Sequence, residues 1–254
     1  RYFDTSPAYA NAETILGNAI DSWKGDRPFI STKAGKLKAN KPDSVAYDFS
    51  PTGLKRSVAE SLDTLKVDYI DILFLHDPSG MKMNEIPAAI ETLQEIKLMG
   101  WAKEIGIGGN YGSHFESFVS KPIFNYFMGY NRFNIINQKA VDNEFIHLKK
   151  EEIKIWQASP LYMGLLGSKL QQYIEMLPEW IPAEDIESAK QLDLFCKRTN
   201  VSITGLALHY ILSSNQVDKI VLGASNMNEL VNTLDLFSQS LTYQNILNNK
   251  INLV

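Results

Sequence analysis

Asp4, Tyr9, Lys33 and His76 are residue types suited to proton transfer; Asp4, Lys33 and His76 each follow a short strand-like run, and Tyr9 stands five residues past Asp4. Tyr2-Phe3 precedes Asp4, Phe29-Ile30-Ser31-Thr32 precedes Lys33, and Tyr69 to Leu75 precedes His76. If those runs are parallel strands, their carboxyl ends share one mouth. A phenol is a poor acid or base at neutral pH, and a neighbouring ammonium favours the phenolate. A carboxylate can hold that ammonium in place, and an imidazole can orient a hydroxyl or carbonyl at the same oxygen. Such a set suits acid–base chemistry beside a hydride transfer. Taken singly, Tyr9 reads as packing, Lys33 as a solvated cation and His76 as a turn cap before Asp77-Pro78. Their coincidence at successive strand ends carries the functional reading.

The elements that must position them follow from periodicity. Ser50-Pro51 opens a helix, with Ser as cap and Pro in the first turn. Leu54, Val58, Leu62 and Leu65 form its buried stripe. Tyr69 to Leu75 is nearly all apolar, as a strand buried on both faces should be. Asn84 to Met99 reads as a helix stopped by Gly100, and Lys103 to Ile107 as a strand. Ser113 to Ser120 reads as a short helix and Phe133 to Asn137 as a strand. Asn143 to Lys150 is a further helix and Ile153 to Gln157 a strand. Helices are expected at Ala183 to Arg198 and Ile203 to Leu212. A strand at Asp218 to Leu222 and a helix at Asn226 to Leu236 complete the pattern. The basic run Lys33 to Lys41, among Gly, Ala and Pro, reads as a loop extending to Phe49.

Strands alternating with helices predict parallel βαβ units and a (β/α)8 TIM barrel. About seven strands are visible, so the first strand and helix are expected upstream of Arg1. The expectation is one N-terminally incomplete barrel domain over residues 1–254. An open doubly wound sheet competes, but no G-x-G-x-x-G opens a helix here. Gly106-Ile107-Gly108-Gly109 only approaches that pattern, at a mid-chain strand end.

Composition narrows the function classes. The hydrophobic fraction is 44%, the charged fraction 21% and the formal net charge -4, which argues against a nucleic-acid partner. Cys196 is the only cysteine, so no disulfide within the chain is possible; it sits in the apolar pattern of Leu192 and Phe195 and reads as core. No membrane span and no signal peptide are visible, and the lone cysteine fits a reducing compartment; a cytoplasmic protein, monomer or homodimer, is the expectation.

Four segments resemble the aldo-keto reductase family, in family order. They are Phe3-Asp4-Thr5-Ser6-Pro7-Ala8-Tyr9 with Glu13 and Leu16-Gly17, then Leu54-Lys55-Arg56-Ser57 through Asp68-Tyr69-Ile70-Asp71 and Leu75-His76. The third is Trp156-Gln157-Ala158-Ser159-Pro160-Leu161 with Gly164-Leu165-Leu166, and the fourth Val221-Leu222-Gly223-Ala224-Ser225. The resemblance implies a catalytic tetrad of Asp4, Tyr9, Lys33 and His76, with Tyr9 moving the proton. It implies a nicotinamide cofactor, NAD or NADP. Asn110 and Gln138 would hold the carboxamide, and Ser159, Leu161, Gly164 and Ser225 the pyrophosphate and ribose. Rim polarity is the ordinary alternative for Gln138. Glu229 stands where NADP-preferring members often carry a basic residue, which leans the choice to NAD; a solvated first-turn carboxylate is its alternative reading. Pro178-Glu179-Trp180, His76-Asp77-Pro78 and the segment 159–166 resemble the L-galactose and L-fucose (D-threo-aldose) 1-dehydrogenase subgroup. That implies oxidation of a sugar at C1 to a lactone. An NADPH-dependent reductase of small aldehydes and a non-catalytic cofactor-binding subunit are the alternatives. Two positions depart from the pattern: Gly109, where many members have Ser, and Ala158, where many have an aromatic ring stacked on the nicotinamide.

Overall fold

The structure is a computed structural model that describes residues 1–38 and 46–249. It divides into two compact units, Arg1–Met128 with Leu148–Lys154, and Gly129–His147 with Ile155–Val254.

The first unit opens with β1 (Tyr2–Asp4), α1 (Ala12–Ser22) and β2 (Phe29–Ala34). A two-stranded antiparallel hairpin follows, β3 (Lys36–Leu37) with β4 (Ala46–Tyr47). Here the sequence reading expected only loop; the part of the basic run from residue 39 to Lys41 lies outside the described residues. Then come α2 (Pro51–Leu65), β5 (Ile70–His76), α3 (Ile86–Leu98), β6 (Ala102–Gly108), α4 (Ser113–Glu116) and β7 (Tyr126–Tyr130). Strands β1, β2, β5, β6 and β7 pair in that order, all parallel. The register fixes the site: Asp4 faces Ser31, Lys33 faces Phe74, and His76 faces Gly108.

Local chemistry explains these elements. Ser50 Oγ accepts the Gly53 N–H at 3.1 Å, capping α2 ahead of Pro51. Leu54, Val58 and Leu65 are buried, as the periodicity predicts. From Ile72 to Leu75 β5 is fully buried, the mark of a parallel strand covered on both faces. α1 lies so close to α2 that a Cβ on Gly17 would come within 2.1 Å of the Thr64 carbonyl oxygen. Glycine at 17 is therefore what lets the first helix dock.

The second unit contains β8 (Lys154–Ala158), whose pairing residues Trp156–Ala158 run parallel to β9 (Lys219–Val221). Helix α5 (Glu144–Lys150) precedes β8. Helices α6 (Leu170–Met176), α7 (Ala183–Thr199) and α8 (Ile203–Leu212) lie between the strands, and α9 (Met227–Ser238) and α10 (Ser240–Asn249) follow. Its core gathers Tyr162, Leu165, Leu166, Leu192, Leu206 and Cys196, so the lone cysteine is a core residue. Burial pushes the Cys196 thiol up to about 11, which keeps it an inert thiol. Buried Asp185 accepts the Tyr162 hydroxyl at 2.6 Å and an Asn137 amide N–H at 3.0 Å.

One strand expectation is corrected. Residues 133–137 do not form a ladder strand; β7 lies upstream, at Tyr126–Tyr130. The Asn134 side-chain oxygen accepts the N–H groups of Ile136 and Asn137, both at 3.0 Å, and curls the chain into a turn. Phe133 and Ile135 are buried, but in a loop.

Candidate active site

At the carboxyl ends of β1 and β2 the buried Lys33 ammonium donates to Asp4 Oδ2 at 2.6 Å and to the Thr5 carbonyl at 2.8 Å. The Lys33 side chain is 3% exposed and that of Asp4 10%, so the pair is screened little by water. Ser31 donates to the other Asp4 oxygen at 2.7 Å, which fixes the carboxylate. The same ammonium sits 4.7 Å from the centroid of the Tyr9 ring, and Tyr9 is 44% exposed. The structure thus places the confined cation against the face of an accessible tyrosine ring.

His76 closes β5 beside them. Its ring meets Tyr9 edge-on, with centroids 5.8 Å apart and planes at 89°. Burial first, then Lys33 and Lys36, pushes its pKa down to about 3, so the ring is neutral near pH 7. Nδ1 lies 3.1 Å from Ser6 Oγ, and Nε2 lies 3.9 Å from Asp77 Oδ2, beyond hydrogen-bond range. Asp77 is paired with Lys36 at 2.6 Å and takes a left-handed backbone, φ 49. Gly109, φ +126, lies against Asp77: a Cβ there would come 2.2 Å from Asp77 Oδ1. The glycine read as a departure from the family pattern thus suits both its backbone angle and its neighbour. Asn110 follows directly, two residues past the β6 position that faces His76.

The residues expected at the cofactor belong mostly to the second unit. Ala158 faces Val221 in the β8–β9 ladder, so Ser159–Gly164 and Leu222–Ser225 leave from the same carboxyl end. Ser159, Tyr162, Met163 and Gly164 all have positive φ, and Ser159 Oγ accepts the Met163 N–H at 3.0 Å. The N–H groups of Tyr162, Gly164, Leu165 and Leu166 bond back to carbonyls within the same turn, so the turn is internally satisfied and holds a fixed shape at this strand end. Leu161 packs its side chain on the unit's core, leaving its backbone to line the turn. At the start of α9, Asn226 caps by accepting the Glu229 N–H at 2.9 Å, and the Glu229 carboxylate accepts the Ser225 N–H at 2.8 Å. The Ser225 and Glu229 N–H groups are thus taken within the helix start, and what these residues share is one strand end lined by polar turns, a place suited to a nucleotide. The nicotinamide cofactor is therefore compatible with the residues present.

Gln138 does not stand where the sequence reading put it. With 133–137 in a turn, it follows no strand, and it lines a cavity of about 250 Å³ with Phe133, Tyr210, Ser213 and Gln216. Ser213 and Gln216 lead from α8 into the start of β9, the end opposite Ala158 and Val221. A carboxamide role for Gln138 loses its geometric basis.

Three features went unread in the sequence. Ser6 was only part of a motif, yet it touches His76. Lys36 was read as loop charge, yet it holds Asp77. Glu13, 7% exposed, accepts from Thr32 at 2.6 Å and Ser61 at 3.2 Å and ties α1 to β2 and α2. Burial is the largest cause that raises its pKa. A carboxylate in the otherwise apolar helix face Ala12–Gly17 was the available signal.

Among the described residues no helix is long and apolar enough to cross a membrane, and no group of His, Cys, Asp or Glu is arranged to hold a metal ion. Residues 1–248 match the sequence profile of the Aldo/keto reductase family. The chain is 29% identical over 239 residues to the L-galactose dehydrogenase of Arabidopsis thaliana, covering 90% of this chain and 71% of that protein. It is 30% identical over 249 residues to the D-arabinose 1-dehydrogenase of Saccharomyces cerevisiae, covering 91% and 71%. Among solved structures it is similar to the holo form of an aldo-keto reductase from Bacillus halodurans, with TM-score 0.72, 21% identity and coverage of 95% and 80%. That likeness bears out the (β/α)8-barrel fold class. The chain belongs to the aldo/keto reductase family and is an oxidoreductase of that kind.

Proposed function

We propose that this oxidoreductase oxidises an aldose at C1 to the lactone, with Asp4, Tyr9, Lys33 and His76 as its catalytic residues and NAD as its cofactor. When bound, the nicotinamide supplies the acceptor for the hydride that leaves C1. The chain's own groups handle the proton and the geometry. Tyr9 accepts the proton of the C1 hydroxyl as the C–H electron pair departs and the C=O bond forms. Lys33, held by Asp4 and the Thr5 carbonyl, stabilises the phenolate that does this. Neutral His76 hydrogen-bonds the substrate oxygen and sets its direction. Asn110 is assigned to the carboxamide, and Ser159, Leu161, Gly164 and Ser225 to the pyrophosphate and ribose.

The observation that carries this reading is one ammonium shared between Asp4 at 2.6 Å and the Tyr9 ring at 4.7 Å, with His76 against the same ring. The sugar substrate draws on the relatives named for L-galactose and D-arabinose. NAD is favoured because Glu229 puts a carboxylate on the Ser225 N–H at the start of α9, where it repels a 2′-phosphate. The test follows nicotinamide absorbance with L-galactose, L-fucose and D-arabinose, with NAD and with NADP. Sugar-dependent reduction of NAD that Tyr9→Phe abolishes is expected. Cofactor binding without turnover of any sugar would overturn the reading, and reduction of small aldehydes alone would replace it.

A further inference from the structure

We propose that Ser6 is a positioning residue that fixes the tautomer of His76, leaving Nε2–H as the donor offered to substrate. The inference rests on the reaction proposed above, and on a complete accounting of one hydroxyl. Ser6 is 1% exposed and His76 5% exposed, so neither partner can turn to bulk water. Ser6 Oγ accepts the Ala8 backbone N–H at 3.1 Å and lies 3.1 Å from His76 Nδ1. A hydroxyl has one proton to give and two lone pairs to fill. If Nδ1 carried the imidazole proton, both polar neighbours would donate into Ser6 Oγ, and the hydroxyl proton would have no acceptor among the described residues. A buried donor left so is costly. If Ser6 donates to Nδ1 instead, every group is satisfied: Ala8 N–H to Ser6 Oγ, Ser6 O–H to Nδ1, and the proton on Nε2.

The backbone makes this arrangement rigid. Ser6 and Ala8 belong to the short turn between β1 and α1, where the Tyr9 N–H bonds back to the Ser6 carbonyl at 3.0 Å. The turn that presents Tyr9 therefore also presents the hydroxyl that orients His76. One segment of four residues sets both the phenol and the imidazole.

The test reads the tautomer directly. Protein labelled with 15N-histidine is examined by long-range 1H–15N correlation, with His76→Gln used only to assign its signal among the four histidines. In the unaltered protein His76 should show a pyrrole-type Nε2 and a pyridine-type Nδ1. A pyrrole-type Nδ1 would overturn the proposal. Ser6→Ala should move the His76 signals and lower kcat/KM for the sugar about fivefold, through kcat, with cofactor affinity unchanged. Ser6→Cys, which keeps a weak donor, should fall between. An Ala variant with wild-type signals and turnover would also overturn it. If Ser6→Ala does not fold, the wild-type spectrum still decides. A correct tautomer in a protein that turns over no sugar would refute the reaction while leaving the Ser6 assignment standing.

Discussion

Replacing His76 with Gln should change how stability depends on pH. In the folded protein burial, then Lys33 and Lys36, hold the imidazole pKa at about 3 against an ordinary value of 6.5. The unfolded chain takes up a proton below about pH 6.5 and the folded chain does not. Stability therefore falls as the pH falls, by about 1.4 kcal/mol per pH unit from this one group. The contribution is full above about pH 6.5 and is lost progressively as the pH drops toward about 3, about 5 kcal/mol in all. Gln cannot titrate, so the variant lacks this slope, while the carboxylates common to both proteins cancel in the difference. Urea unfolding followed by circular dichroism at several pH values between about 7.5 and about 4 gives the two curves. The difference in unfolding free energy, wild type minus variant, should hold level down to about pH 6.5 and decline steadily below it. Parallel curves would show that His76 is solvated or already charged in the folded state, and would refute the reasoning about its environment.

Three further outcomes follow from the same geometry. Asp4→Ala should cost about 3–5 kcal/mol in thermal or denaturant unfolding, because it strands the buried Lys33 charge. With Lys33→Met added, the loss should be smaller than the sum, and strict additivity would argue against a direct pair. Gly109→Ser should destabilise by about 2 kcal/mol or more in the same assay, since its Cβ meets Asp77 Oδ1 at 2.2 Å on a backbone at φ +126. Wild-type stability would mean that Asp77 moves aside freely. Glu229→Arg should raise the ratio of kcat/KM with NADP over NAD about tenfold; an unchanged ratio would remove Glu229 from cofactor choice.

Much of the first unit was legible because its signals are local. Asp4, Lys33 and His76 could be placed because apolar runs mark where β1, β2 and β5 lie, and parallel strands bring their carboxyl ends together. Ser50-Pro51 announced α2, and Asn226 announced α9. The misread strand at 133–137 shows the limit. Phe133, Ile135 and Ile136 look like strand residues, but Asn134 bends the backbone with its own side chain. Meanwhile β7, Tyr126–Tyr130, hid behind Met and Gly. Gln138 went astray with that strand. The partners of Ser6 and Lys36 were illegible for another reason. Ser6 meets His76 seventy residues away and Lys36 meets Asp77 forty-one residues away, and no periodicity encodes such pairings.

The fit between Gly109 and Asp77 ties the two positions together. While Asp77 keeps its left-handed backbone and its carboxylate stays on Lys36, a side chain at 109 must push Asp77 Oδ1 aside from a backbone at φ +126. A smaller residue at 77 removes that obstacle and leaves only the backbone strain, so the cost of a serine at 109 depends on what stands at 77.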